Sequence, residues 1–200
     1  MNKIEKEPSH TYTSVAESVF QVERSAWNNC ANFIDDNRNI GNPFLSHEFF
    51  SCLEESGSVS KETGWISQHI LLFEKGNSLI GILPNYLKNH SWGEYIFDQV
   101  FANAWENAGG KYYPKLLSAI PFSPVAGERF LIKKGYNHKF VIEKLLAALE
   151  DLKKFYKVSS AHINFINEPQ LKIALKNKFW FERNNIQFHW SNQNYENFEH

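Results

Sequence analysis

Apolar positions along the chain switch between a helical and a strand period, and the switches mark out its elements. Residues 12–22 contain one short strand pattern, and residues 23–34 read as a helix with Ala26, Trp27, Cys30, Ala31 and Ile34 on one side. A loop rich in Asn, Asp and Gly covers 35–43. Ser46 then caps a helix running to about Glu55, with Phe49, Phe50 and Leu53 inward and Gly57 as a stop. The apolar runs 69–74 and 79–83, joined by Lys75-Gly76-Asn77-Ser78, predict a hairpin. Phe101, Ala104, Trp105 and Ala108 share a helical face that Gly109-Gly110 ends. Residues 115–120 form a strand pattern terminated by Pro121, and 121–136 reads as loop. Asn137 caps the most regular helix, with Val141, Leu145, Leu149, Leu152 and Tyr156 on one face and a Glu150–Lys154 pair outside. A strand over 161–166, a short helix over 169–178 and a strand over 186–190 complete the pattern. In the last strand Ile186, Phe188 and Trp190 oppose Gln187 and His189. Hairpins mixed with helices predict an α+β fold, a mixed and mainly antiparallel sheet flanked by helices. Residues 1–11 are polar and read as a disordered tail, leaving one domain over 12–200.

One stretch departs from any period. Residues 81–129 interleave aromatic, glycine, proline and charged side chains, a mixture that lines concave surfaces more readily than it fills a core.

Composition adds few restrictions. A 42% hydrophobic and 16% aromatic content suits a packed domain. The net charge of −1 hides an asymmetry: residues 1–100 carry 7 Lys+Arg against 13 Asp+Glu, and residues 101–200 carry 14 against 9. Two oppositely charged solvated faces account for this, as does a second half that presents cations to a polyanion. Cys30 and Cys52 form no disulfide or zinc pattern and read as buried structural thiols. Eight histidines offer no close ligand spacing, so no metal is expected, and His47-Glu48 fits helix capping. With no apolar run long enough to span a membrane and no leader pattern, the expected location is cytoplasmic.

Four strings carry a resemblance. They are Asn42-Pro43-Phe44-Leu45-Ser46-His47; Pro84-Asn85-Tyr86-Leu87-Lys88 with His90-Ser91 and Gly93-Glu94-Tyr95; Tyr112-Tyr113-Pro114-Lys115-Leu116 with Pro121-Phe122-Ser123-Pro124-Val125; and Gln187-Phe188-His189-Trp190. Together they resemble the FemAB-like predicted N-acyltransferases of the GNAT superfamily, over about residues 42 to 198. The resemblance implies a GNAT-like fold. It implies transfer of an acyl or aminoacyl group, from acyl-CoA or aminoacyl-tRNA as co-substrate, to an amine of a small molecule or peptidoglycan precursor. Relatives continue into a second GNAT-like half, so the chain reads as a first half. A homodimer, a partner supplying the missing half, or a non-catalytic binding module are the corresponding expectations.

Transfer of this kind needs a base for the amine proton, donors for the oxyanion, and groups that hold the carrier. The candidate bases are His90, Glu94, Asp98 and His189; as structural groups, the two carboxylates would pair with Lys88 or Lys115. Tyr113 is a candidate acid for the leaving group. His90, Tyr112 and Trp190 are assigned to the substrate, although two neighbouring tyrosines also suit simple packing on a sheet. For the carrier's phosphates, the loop 121–129 ahead of the Asn137 helix offers Gly127 and Arg129, with Lys133, Lys134 and Lys139 nearby and Lys115 as a further cation. The basic second half suits tRNA equally well.

Overall fold

The computed structural model describes residues 5–33, 41–184 and 186–199. Strand β1 (Thr11–Ala16) leads into helix α1 (Arg24–Cys30), whose first amides are capped by the Glu23 carboxylate. Helix α2 (His47–Glu55) begins where Ser46 Oγ accepts from Phe49 N–H, as its sequence predicts. At its far end Glu54 accepts hydrogen bonds from Ser18 Oγ at 2.6 Å and Ser67 Oγ at 2.8 Å, which ties the helix to the sheet.

Strands β2 (Trp65–Ser67) and β3 (His69–Glu74) run on through Gln68, while β4 (Ser78–Leu83) and β5 (Tyr86–Lys88) run on through Pro84-Asn85. Pro84 has no N–H to give the ladder, so pairing breaks there. Across the break Gln68 N–H donates to Asn85 O at 2.7 Å. The break divides the sheet in two. One half has the order β1-β3-β4-β7, where β7 is Leu131–Ile132. The other has the order β2-β5-β6-β8, with β6 (Lys115–Ser118) and β8 (Ala161–Ile163) parallel and all other pairs antiparallel.

Both faces are covered. Trp27, Cys30 and Phe50 pack on Leu71, Leu79, Ile82, Tyr86 and Leu117 on one side. On the other, helix α4 (His138–Tyr156) lays Val141, Leu145 and Leu149 over Ile70, Leu72 and Ile80, and α5 (Glu168–Ala174) adds Ala174. Gly81 permits the close approach of α4, because a Cβ there would stand 2.6 Å from Val141 Cγ1.

Several expectations are corrected. Lys6, placed by sequence in a disordered tail, donates its N–H to Gly135 O at 2.8 Å and accepts from Asn137 N–H at 3.1 Å. The loop over 121–136 contains β7, and the strand expected over 161–166 ends at Ile163. Helix α3 (Gln99–Asn107) turns Ala102 inward and leaves Phe101, Ala104 and Trp105 exposed. A helical stripe shows that a face is apolar without showing what it faces. Glu150 pairs with Lys153, and Lys154 with Asp151. Residues 186–190 form no strand and lie exposed. Cys30 is buried, which pushes its thiol up to about 12, whereas Cys52 is exposed. Ile34 and most of the 35–43 loop lie outside the described residues.

Candidate active site

Strands β5 and β6 place Lys88 directly opposite Lys115, and β8 sets His162 beside Leu117 on the same face of the sheet. Two lysines facing one another across a ladder are unfavourable unless carboxylates sit between them. The segment after β5 supplies these. Gly93 (φ +78°) and Tyr95 (φ +55°) fold it back, bringing Glu94 and Asp98 onto Lys115.

The result is a polar cluster of which almost nothing reaches solvent. Lys115 Nζ donates to Glu94 Oε2 at 2.8 Å, to Asp98 Oδ2 at 2.5 Å and to Ser91 Oγ at 2.8 Å. The side chains of Lys115, Glu94 and Asp98 are 1%, 1% and 3% exposed. Ser91 Oγ also meets Tyr113 OH at 2.7 Å, and Tyr112 OH donates to Asp98 Oδ2 at 2.8 Å. Asp98 is the N-cap residue of α3 yet makes no capping bond; its carboxylate is turned to Lys115 and Tyr112 instead. Lys88 Nζ donates to Trp92 O at 3.2 Å and lies 3.7 Å from the centroid of the Trp65 ring.

The two carboxylates are driven apart. Burial lifts Glu94 above the ordinary carboxylate range, outweighing the pull of Lys115, and its Oε1 is buried without a hydrogen-bond partner. Burial also acts to raise Asp98, but hydrogen bonds from Lys115, Ser91 and Tyr112 hold it below its usual value. Such divergence sorts paired carboxylates into a proton acceptor and a fixed anion. Burial lowers Lys88 to about 7 and His162 to about 4, and burial with the Asp98 contact pushes the Tyr112 hydroxyl up.

Lys88 has a measurable consequence. Between its ordinary 10.5 and about 7, the unfolded chain holds a proton that the folded chain releases. Folding stability therefore rises with pH across that window, by up to about 1.4 kcal/mol per unit. Lys88→Met removes the ionisable group and with it this slope. Urea denaturation at about pH 7.5 and about pH 9.5 should show the wild type gaining on the variant as pH rises. Parallel curves would mean that folded Lys88 keeps its proton throughout.

Of the residues singled out by sequence, Glu94, Asp98, Tyr112, Tyr113 and Lys115 meet in this cluster. His90 lies at its border, with Nε2 3.0 Å from Thr63 O, and burial and Lys88 lower its pKa. Ser91 and His162 join without having been assigned a role, and Lys88, named only as a possible partner for the carboxylates, lies beside them. The others are placed elsewhere. His189 is exposed and its Nε2 lies 3.0 Å from Gln187 Oε1, while Trp190 is 75% exposed. Arg129 is 1% exposed and its guanidinium is spent on the carbonyls of Val125, Glu128 and Asn164. Burial lowers it to about 10. Gly127 N–H donates to Phe165 O at 3.0 Å, and Lys133 Nζ reaches Ser78 Oγ at 3.2 Å. Ahead of α4, Asn137 N–H is taken by Lys6 O and Phe140 N–H by the Asn137 side chain. These groups face inward or bind one another, which leaves Lys134 and Lys139 as the exposed cations beside the expected loop.

No curated protein sequence matches the chain. Among solved structures, it resembles a probable acetyltransferase with 10% identity and a TM-score of 0.50, over 92% of this chain and 99% of that one. It also resembles the aminoglycoside 6'-N-acetyltransferases AAC(6')-Ih from Acinetobacter baumannii (11% identity, TM-score 0.48, 92% of this chain and 99% of that one) and AAC(6')-IG from Acinetobacter haemolyticus (12%, 0.48, 91% and 98%). The fold, mainly antiparallel strands with helices on both faces, is GNAT-like. The FemAB-like family, described as peptidoglycan biosynthesis/recognition, matches residues 18–200, and the chain belongs to that family.

Proposed function

We propose that this protein is an N-acyltransferase that passes an acyl or aminoacyl group from a carrier to an amine of a peptidoglycan precursor or related small molecule. The observation that carries the reading is Glu94: a buried carboxylate with a raised pKa and one oxygen left without a partner. Such a group is a stronger proton acceptor than an ordinary carboxylate. The amine nitrogen attacks the carrier's carbonyl carbon, the new N–C bond forms, and the bond from carbon to the carrier's sulfur or oxygen breaks. The amine's proton passes to Glu94. The leaving group takes a proton from Tyr113, which is linked back to Glu94 through Ser91 and Lys115 by contacts of 2.7, 2.8 and 2.8 Å. Along that chain the proton lost at one end is replaced at the other.

The alternative is a non-catalytic binding module. It is favoured by the apolar side chains exposed along the C-terminal arm, where Phe179, Phe181, Ile186 and Phe188 are each more than four-fifths exposed. Ligand-linked stability separates the two readings. A donor present at about 100 times its Kd stabilises the folded chain by about 2.7 kcal/mol. Acetyl-CoA or aminoacyl-tRNA should therefore raise the melting temperature, and an added amine should be acylated. If neither donor shifts the melting temperature or supports transfer, the binding-module reading stands in its place.

A further inference from the structure

The strip from His90 to Glu94 serves two environments. Ser91 and Glu94 join the polar cluster, whereas His90 and Trp92 line a cleft of about 260 Å³ together with Ser58, Thr63, Trp65 and Phe122. Three unusual backbone positions converge on its walls. Gly64 has φ +72°, and a Cβ there would stand 2.4 Å from His90 Nε2. Gly93 has φ +78°, and its Cβ would stand 2.6 Å from the Phe122 ring. Phe122 itself, a bulky residue, holds φ +56° while its N–H donates to Gly93 O at 3.1 Å. A left-handed phenylalanine persists only where its surroundings enforce it, and such strain gathers at ligand sites. The cleft is thus a built feature of the fold.

Its chemistry is specific. The buried Trp65 ring lies 5.3 Å from the Phe122 ring, and Trp92 is 80% exposed at the edge. Among the described residues, no carboxylate lines the cleft. Lys88 Nζ already occupies a face of the Trp65 ring at 3.7 Å from its centroid, so that face is closed to a ligand cation seeking cation–π attraction. A neutral apolar group instead buries its surface against the exposed Trp92 and Phe122 rings, with Trp65 at the base of the cleft. An apolar cavity of roughly 150 Å³ is enough to hold benzene, so this cleft has room for a ring or a short chain.

We infer that this cleft binds the neutral, apolar acyl group of the donor, a short alkyl or aryl chain, and rejects a cationic aminoacyl group. Calling the occupant an acyl group rests on the transferase reading; the preference for neutral over cationic ligands does not. The cleft and the cluster share the His90–Glu94 strip, His90 and Trp92 lining the one and Ser91 and Glu94 belonging to the other.

Unreactive amides test the preference by ligand-detected NMR titration on the whole chain. N-methylbenzamide and N-methylhexanamide should bind saturably, and N-methylglycinamide, which carries an ammonium, should bind at least about tenfold more weakly. Trp92→Ala should weaken the two neutral amides about fivefold or more. It should leave the melting temperature unchanged, because the side chain is largely in solvent. Equal binding of the glycinamide, or neutral amides indifferent to Trp92→Ala, overturns the inference. Thioester turnover is read separately. If the amides bind as expected but no amine is acylated, the cleft stands and the transferase reading falls. If glycyl thioesters are used as fast as benzoyl thioesters, transfer stands and the cleft's selectivity falls.

Discussion

Lys115→Met is expected to destabilise the protein by about 3–5 kcal/mol at neutral pH, the cost of breaking a buried ion pair from one side. The side chain is 1% exposed and holds Glu94 and Asp98, themselves 1% and 3% exposed. Methionine fills much the same volume, so lost packing contributes little and the effect isolates charge. Two buried carboxylates then lose the cation they share, and Asp98 keeps only the neutral Tyr112 and Ser91 hydroxyls as donors. Both carboxyls should shift upward in the folded variant. A raised folded pKa adds stability that is present at low pH and lost as pH rises through it, so the deficit should shrink on acidification. Adding Glu94→Gln and Asp98→Asn to Lys115→Met removes the unpaired charges and should restore much of the loss. Urea denaturation of the single and triple variants provides the comparison. A deficit below about 1 kcal/mol for Lys115→Met would place the pair in the class of solvated surface bridges and contradict the burial described above.

What the sequence reveals about this fold is what depends on neighbours in the chain. Ser46 and Asn137 cap α2 and α4 at their predicted positions because a cap is a contact with a residue three positions away. The 69–83 hairpin is legible for the same reason. Helix α3 shows the limit: its stripe of Phe101, Ala104 and Trp105 is real, yet Ala102 on another face meets the core. Likewise, residues 186–190 alternate as a strand does, but alternation cannot provide a partner strand, and they remain unpaired. The site divides in the same way. Glu94, Asp98, Tyr112, Tyr113 and Lys115 could be singled out because carboxylates, tyrosines and a lysine crowd an aperiodic stretch. Lys88 is legible only as a possible partner for the carboxylates; its burial and its place opposite Lys115 follow from the strand register, which the sequence does not show. Arg129 errs in the opposite direction. Counting its charge suggested an anion site, but the carbonyls of Val125, Glu128 and Asn164 that absorb it come together only in three dimensions.

Glu94→Gln should lower acyl transfer by about 10²–10⁴-fold, the usual contribution of a positioned proton acceptor, while leaving the fold intact. The amide is nearly isosteric and its oxygen can still accept the Lys115 hydrogen bond. The ion pair is weakened, but the penalty of burying a carboxylate also disappears, and the two changes oppose each other in stability. Because burial raises Glu94's pKa, the carboxylate needed as base is lost as pH falls through that raised value. The wild-type kcat/KM should therefore show an acid limb displaced above the ordinary carboxylate range, and Glu94→Gln should abolish that limb along with the rate. His189→Ala is the control from the exposed arm, and it should leave both rate and profile unchanged. The discriminating readout is kcat/KM against pH for transfer from a thioester to a simple amine, with melting temperatures measured in parallel. A Glu94→Gln enzyme within about threefold of wild type would remove Glu94 from the base's role and reduce its raised pKa to a consequence of burial alone. A variant that unfolds would instead make Glu94 structural. Loss of rate with the fold and the His189→Ala profile preserved leaves proton acceptance as the function of the buried, unpartnered Glu94 oxygen.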